Sequence, residues 1–366
     1  MSAADLRATP VIDDELDRLF AVFPSDGRVI LAVSGGADST ALMLLAQRWR
    51  SRRAQGPDLV VTTVDHGLRP GSRDEAERVA ALARALGLPH QLLTWTGAKP
   101  STGIEVAARE ARYALLVGYA GQCGAAWLAL AHTLDDQAET VLMRLAAGSA
   151  PAGLAGMRAR ETRAGVSLLR PLLGIRKARL VATLQHAGIG WSEDPTNVDQ
   201  GFARARLRGA RGALAREGLT PERLARLAQR MARYEDVVAG GAQAAREVIR
   251  HPERPARLNG AALAAVPEEL ALRVLAAEIR DTVGGRDRGP QPTRLHRLEA
   301  LWSELRPALL AGHHAKRTLG GALITVEPDR SVSITRAPPR RGKPSAVAAG
   351  ARKGPQARSS RAAGAT

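Results

Sequence analysis

The run Ile30-Leu31-Ala32-Val33 leads without a break into Ser34-Gly35-Gly36-Ala37-Asp38-Ser39, and a helical pattern continues from Thr40. An apolar strand that empties into a small polar turn and then a helix fixes the local geometry. The turn lies at the carboxyl end of a strand and the amino end of a helix. Gly35 and Gly36 let the backbone bend sharply and bring its N–H groups against an anion. Ser34 and Ser39 add hydroxyl donors, and the helix start adds the positive end of its dipole. The turn lacks the Gly-Lys-Ser/Thr ending of an ordinary P-loop, so it is not read as a γ-phosphate site. Asp38 beside a polyphosphate would be repelled without an intervening cation, which assigns it to Mg²⁺ or to fixing the loop. A plain strand–turn–helix connection capped by Ser and Asp is the alternative. The complete hexamer in this setting favours ATP.

Outward from the loop, short apolar runs recur at 28–33, 59–64, 90–94 and 125–131. Helical patterns fill 38–52, 73–86, 104–118 and 135–146. This alternation predicts an α/β fold, a parallel sheet with helices on both faces. Ligands of such sheets lie beyond the carboxyl ends of the strands. The polar clusters 34–39, Asp65-His66 and 132–136 each follow an apolar run and so fall there. After residue 216 the pattern changes to helices at 221–250, 261–281 and 293–311. Two β-like runs follow, 319–326 and 331–335, joined by Glu327-Pro-Asp-Arg330 as in a hairpin. The expected organisation is a catalytic domain over 1–216, a smaller, mainly helical domain over 217–336 ending in that hairpin, and a tail over 337–366.

The net charge of +17 favours a polyanionic partner. Seven of those charges lie in 337–366, a Pro/Gly/Ser/Ala-rich stretch with no acid that is expected to be disordered, which leaves +10 for the rest. Cys123 is the one cysteine of the chain, so no internal disulfide and no cysteine-built cluster can form. The stretch 113–134 carries no Lys, Arg, Asp or Glu, but Gly118, Gly121 and Gly124 interrupt it. It reads as a helix end, a turn and a buried strand rather than a membrane span, and the expected setting is cytoplasmic. In His132-Thr-Leu-Asp-Asp-Gln-Ala-Glu139 a histidine ends a strand, and Asp136 and Glu139, three apart, share a helix face. Two carboxylates near a phosphate loop must meet cations, either Mg²⁺ or an ammonium group.

Several further stretches stand in a fixed order: VDHGLRPGSRDEA (64–76), EVAAREARYALL (105–116), AHTLDDQAETVLMRL (131–145), GLAGM (153–157), RPLL (170–173) and WSEDPTNVD (191–199). With SGGADS they resemble the N-type ATP pyrophosphatases, and among these the tRNA(Ile)-lysidine synthetase family, over about the first 215 residues. The resemblance implies an adenine nucleotide α-hydrolase-like fold that uses ATP and Mg²⁺. It implies adenylation of the wobble cytidine of a tRNA(Ile) with a CAU anticodon, after which L-lysine displaces AMP. By the same resemblance Ser34, Gly35, Gly36, Ala37, Asp38, Ser39, Asp65, His66 and His132 contact ATP. Asp38 and Asp136 hold Mg²⁺, and Arg112, Asp136, Glu139 and Arg204 act with Asp38 in catalysis. The family usually has Tyr-x-Arg-Asn before a further Arg. Here the segment is Phe202-Ala-Arg204-Ala205-Arg206-Leu-Arg208, with Ala205 at the Asn position. A tRNA-thiolating enzyme of the same loop class would need paired cysteines or a cluster. A small-molecule amide ligase would leave the basic fold and the added C-terminal helices unexplained, and a nucleic-acid-binding protein with a vestigial nucleotide site would not have kept Ser34, Asp38 and Ser39.

Overall fold

The computed structural model describes residues 8–68, 71–97, 99–100, 102–192, 203–251, 254–284 and 295–338. The expected tail beyond 338 lies outside the described residues. The chain divides into two units, Met1–Val238 and Ala239–Thr366. The division falls inside one long helix, Pro221–Ile249.

The first unit opens with a short helix, α1 (Leu16–Leu19), and then alternates. β1 (Arg28–Ala32) is followed by α2 (Ala37–Ser51), β2 (Asp58–Asp65) by α3 (Ser72–Ala85), and β3 (His90–Thr94) by α4 (Ile104–Gln122). β4 (Trp127–Ala129) leads to α5 (Leu134–Ala146) and the single turn α6 (Pro151–Leu154). β5 (Arg160–Arg163), β6 (Val166–Leu169), α7 (Lys177–His186), α8 (Ala203–Arg216) and α9 (Pro221–Ile249) complete it. The sheet order is β3-β2-β1-β4-β6-β5, parallel except for β5. β1 is fully covered at Val29, Ile30 and Leu31, as its unbroken apolar run requires. Leu42, Met43, Leu45 and Trp49 of α2 fill one side of the sheet with Leu16, Phe20 and Leu180. Tyr113, Leu116 and Ala120 of α4 fill the other with Ile30, Leu128 and Leu168.

The antiparallel edge β5 departs from the all-parallel expectation. It pairs with β6 through the two-residue turn Ala164-Gly165, both at positive φ (47° and 81°), the geometry that matches hairpin twist. Arg160–Arg163 is exposed at every position, so it carries no apolar alternation to announce a strand.

The second unit holds β7 (Arg250–His251), β8 (Arg254–Asn259), α10 (Gly260–Ala265), α11 (Glu268–Val283), α12 (Leu295–Ala311), β9 (Ala315–Leu319), β10 (Ala322–Val326) and β11 (Ser331–Arg336). Its strands form one antiparallel sheet, β7-β8-β11-β10-β9, larger than the expected hairpin. Gly320-Gly321, both at positive φ, cut the run 319–326 into the last residue of β9 and the whole of β10. Pro267 likewise divides the expected helix 261–281, because it offers no N–H to continue one. Leu275, Ile279, Trp302, Leu305, Ile324 and Val332 are at the centre of this core. No helix among the described residues is long and apolar enough to cross a membrane.

One contact in the second unit leaves no room for a side chain. A Cβ on Gly260 would stand 2.1 Å from the Arg330 carbonyl oxygen and 2.5 Å from Leu309 Cδ2. The Gly260 N–H donates to that same carbonyl at 2.9 Å. Gly260→Ala must therefore move backbone or break the bond. It is expected to cost about 1–3 kcal/mol, read as a lowered urea midpoint of the full chain, and an unchanged midpoint would refute the close approach.

Candidate active site

The sheet order reverses between β1 and β4, and a crevice opens at such a switch point beyond the strand ends. The segments after β1 and β4 are the 34–39 loop and the 130–136 segment, so topology alone brings the two polar clusters together. The cleft there has a volume of about 1660 Å³ and is lined by Ser34, Gly36, Asp38, His66, Arg112 and Asp136 among others.

Gly35 sits at φ +89° and Gly36 is the N-cap of α2, with no side chain capping it. The first N–H groups of α2 thus have no acceptor within the helix and are available to an anion. The loop is closed by its own hydroxyls. The Ser39 hydroxyl donates to the Gly36 carbonyl (3.0 Å) and accepts the Ser34 N–H (3.1 Å). Ser34 Oγ lies 3.1 Å from Ser39 Oγ. Outside it, the Gly35 carbonyl accepts the Ser192 N–H at 2.8 Å, and a Cβ at Gly35 would press on Val79 at 3.2 Å. Gly35 is required by backbone angle and by space alike.

Four carboxylates crowd one wall, and their partners sort them. Asp38 Oδ2 accepts from Lys177 Nζ at 3.0 Å, whereas its Oδ1 is buried with no hydrogen-bond partner. Burial raises the Asp38 pKa above the usual carboxylate range; Lys177 opposes the rise, and Asp136 and Asp135 add to it. Asp136 is the third residue of α5. Its Oδ2 accepts the N–H (2.8 Å) and the hydroxyl (2.9 Å) of Thr133. Thr133 Oγ1 in turn accepts the Asp136 N–H (3.2 Å), which completes a capping box. Asp135 turns away into protein, accepting from Lys177 N–H (2.8 Å) and Arg176 Nε (3.3 Å) and pairing with Arg211 (3.1 Å). Glu139, buried, accepts a two-pronged contact from Arg208 of α8 (2.7 and 3.1 Å) and a third bond from Arg211 (3.4 Å). The hydrogen bonds Arg208 donates to Glu139 hold the Arg208 pKa above its usual value. The shared helix face of Asp136 and Glu139 is thus real, but Glu139 ends on arginines of α8 while Asp136 ends on its own helix cap. Arg204 also lies on α8; its side chain is outside the described residues, as is that of Ala205.

On the opposite side Asp65 is a turn-former. Its Oδ1 accepts the Gly67 N–H and the Ser72 hydroxyl, both at 2.8 Å. Burial pulls its pKa upward, and these two bonds outweigh that and hold it below the ordinary value. His66 meets Trp95 edge-on at 6.1 Å, and its Nδ1 is buried with no hydrogen-bond partner. Burial and then Arg112 lower its pKa. Burial drives His132 further, to about 4, against the pull of Asp136 and helped by Arg170. Arg170 Nε donates to His132 Nδ1 at 3.3 Å, so the neutral ring carries its proton on Nε2.

Sequence reasoning passed over Lys177, Arg170 and Arg176. Two of them had a signal: Arg176-Lys177 puts bases at the start of α7, the end where the helix dipole disfavours cations. Such a placement calls for a nearby acid, and Asp38 and Asp135 are those acids.

The buried neutral His132 gives a pH dependence of stability. Its folded pKa lies below the unfolded value of about 6.5, so the unfolded chain binds more protons between those limits. Stability is then full above pH 6.5 and falls as pH drops toward 4, on the order of 2 kcal/mol by pH 4.5. His132→Gln should remove that part of the acid sensitivity. Urea titrations at pH 7.5 and 4.5 measure it, and equal acid losses in both proteins would count against a buried neutral ring.

Comparison with known proteins agrees with this geometry. The PP-loop domain family matches residues 9–211. A tRNA(Ile)-lysidine synthase of Methylobacterium sp. (strain 4-46) is 52% identical over 321 residues, 87% of this chain and 91% of the relative. That of Bradyrhizobium sp. (strain BTAi1 / ATCC BAA-1182) is 48% identical over 350 residues, 91% of this chain and 96% of the relative. Among solved structures, a U34-tRNA thiolase from Methanococcus maripaludis carrying a [4Fe-4S] cluster shares the fold at a TM-score of 0.51. It is 16% identical, with 60% of this chain and 79% of that one covered. The chain belongs to the tRNA(Ile)-lysidine synthase family of PP-loop proteins.

Proposed function

We propose that the protein forms lysidine in the cytoplasm, using ATP to adenylate the wobble cytidine of a CAU-anticodon tRNA(Ile) and then joining L-lysine to that base. The observation that carries this reading is the cleft of about 1660 Å³, in which the 34–39 loop, Asp38, Asp136 and Arg112 meet. Pockets for one small ligand run ~300–1000 Å³. The excess suits a nucleotide, a splayed-out base and an amino acid held together.

In the first step the cytosine carbonyl oxygen attacks the α-phosphorus of ATP and pyrophosphate leaves. In the second the lysine amine attacks the ring carbon bearing that oxygen, sheds a proton, and AMP departs with the oxygen. Both leaving groups are anions. The first N–H groups of α2, the Ser34 hydroxyl and Arg112 are the donors at hand to meet that charge. His132, neutral, adds no cation that would draw the triphosphate out of register.

Asp38 and Asp136 fit Mg²⁺. Oδ1 of Asp38 is a buried oxygen lacking a partner, and Asp136 is its charged neighbour. Mg²⁺ takes one or two carboxylates and completes its shell with phosphate oxygens and water. When bound, the ion withdraws charge from the triphosphate as a Lewis acid. Lys177, already on Asp38, is placed to keep the apo carboxylate compensated. Glu139 is a positioning residue that holds α8 through Arg208 and Arg211. Asp136 is also the acid within reach of a lysine ammonium. Residues 1–216 carry this chemistry, and 217–336 serve RNA binding.

Pyrophosphate release that requires tRNA(Ile), AMP release and continued turnover that also require lysine, and lysidine recovered from nuclease-digested tRNA together test the activity. Release without tRNA, or no modified base, would refute it. For the metal pair, Asp38→Asn should raise the magnesium needed for half-maximal turnover by about tenfold and leave the fold intact. Unchanged turnover at limiting magnesium would remove Asp38 from that role.

A further inference from the structure

The first half of α9 carries a charge pattern that the cleft chemistry does not use. Arg223, Arg226, Arg230 and Arg233 are spaced three, four and three apart and are all exposed. At 100° per residue they fall within one narrow arc of the helix. Tyr234 and Val237 fall in the same arc, 65% and 74% exposed. The opposite arc, with Leu224, Ala225 and Ala228, is buried, Leu224 and Ala228 packing with Ala138 and Val141 of α5. The arginine arc thus faces solvent by construction.

These arginines differ from others of the first unit in their partners. Arg158, Arg170, Arg176, Arg179, Arg208 and Arg211 are all tied to carboxylates. Arg226, Arg230 and Arg233 make no ion pair or hydrogen bond among the described residues. Of the acids of the same turns, Glu222 pairs with Arg176 and Asp236 with Arg158. Uncompensated guanidinium groups with an exposed aromatic ring among them are the surface chemistry of a nucleic-acid track.

The track is also registered to the cleft. Pro221 and Glu222, at the start of α9, line the cleft itself. Further along, Arg158 grips α9 through Asp236 (2.9 and 3.2 Å) and the Ala232 carbonyl (3.2 Å). The Arg158 carbonyl accepts from Arg170 (2.7 Å), whose Nε reaches His132 in the cleft. A ridge about 15 Å long therefore leads away from the cleft mouth at a fixed distance from the chemistry.

We infer that the Arg223–Arg226–Arg230–Arg233 face of α9 is a docking track for an RNA backbone, which holds the stem beside the nucleotide being modified while that nucleotide enters the cleft. This rests on the proposed function for the choice of RNA. Phosphates meet the guanidinium groups, and Tyr234 offers its ring to a base or ribose. Contacts of this kind position RNA and read no sequence.

The test is the triple variant R226Q/R230Q/R233Q of the full chain. Arg223 is spared because its Nη1 holds the Gly218 carbonyl (3.2 Å). Binding of tRNA(Ile) is followed across a salt series, together with KM values for tRNA, ATP and lysine. The expected result is a tRNA Kd and KM raised at least tenfold, a salt slope shallower by about two to three, and unchanged KM for ATP and lysine. The lysine version, R226K/R230K/R233K, should recover most of the affinity, as point charges suffice for phosphate. Wild-type binding and slope in the glutamine variant overturn the track. So does a variant altered only in self-association, which would make the face an interface between copies. If the wild-type protein binds tRNA but forms no lysidine, the proposed function fails, while a weakened, flatter binding curve in the variant still supports the track.

Discussion

Four carboxylates in one wall of a cleft built for a polyanion is the constraint on which the rest of the first unit depends. Asp38, Asp135, Asp136 and Glu139 sit where like charge must be offset, and three separate devices offset it. Asp135 and Glu139 are neutralised by arginines of α7 and α8, which ties those helices to α5. Asp136 is absorbed into the cap of its own helix, where the positive dipole end welcomes an acid. Asp38 alone combines a single lysine contact with a bare buried oxygen. Truncating one partner of a buried pair leaves the other charge stranded, at several kcal/mol. The helices therefore keep their places because the acids do.

That arrangement separates support from chemistry within one short segment. Asp135, Asp136 and Glu139 are neighbours on one helix, yet only Asp136 stands with Asp38 near the loop without an arginine on it. The same logic governs the histidines. Burial, with Arg170, Arg109 and Arg112, lowers the His132 pKa to about 4, and burial with Arg112 lowers that of His66, so the positive charge in the cleft rests on guanidinium groups and on Lys177 rather than on imidazole.

Much of this was legible in sequence because the signals are local. The loop hexamer after a strand, the alternation of 3.6-period and apolar segments, and the polar clusters at strand ends all survive as read. Even Thr133-Leu-Asp-Asp136 carries the capping-box spacing, a signal available but not used. The misses are non-local or lack a pattern. Arg160–Arg163 and Arg254–Asn259 are strands because a neighbour pairs with them, and neither shows the alternation that a half-buried strand would. The run 319–326 looked like one strand because its apolar content hid Gly320-Gly321. The ion pair of Lys177 with Asp38 joins residues 139 positions apart, a distance over which composition and periodicity say nothing.

The fold shared with a U34-tRNA thiolase sharpens what the side chains decide. At 16% identity the likeness shows the fold alone. Thiolation and the lysidine formation proposed for this chain differ in the nucleophile. A thiolase must bring sulfur, and cysteines or a cluster are the means. Here the one cysteine, Cys123, caps α4, with its thiol directed to the Ala120 carbonyl at 3.7 Å. It follows a helix that ends at the far edge of β4 from the loop, since the chain must still run the length of that strand to reach His132. A nucleophile that arrives as a free amine needs no such group. Under the proposed reaction it needs a site that accepts a cation next to ATP, and we propose the acid-lined wall beside the 34–39 loop for it.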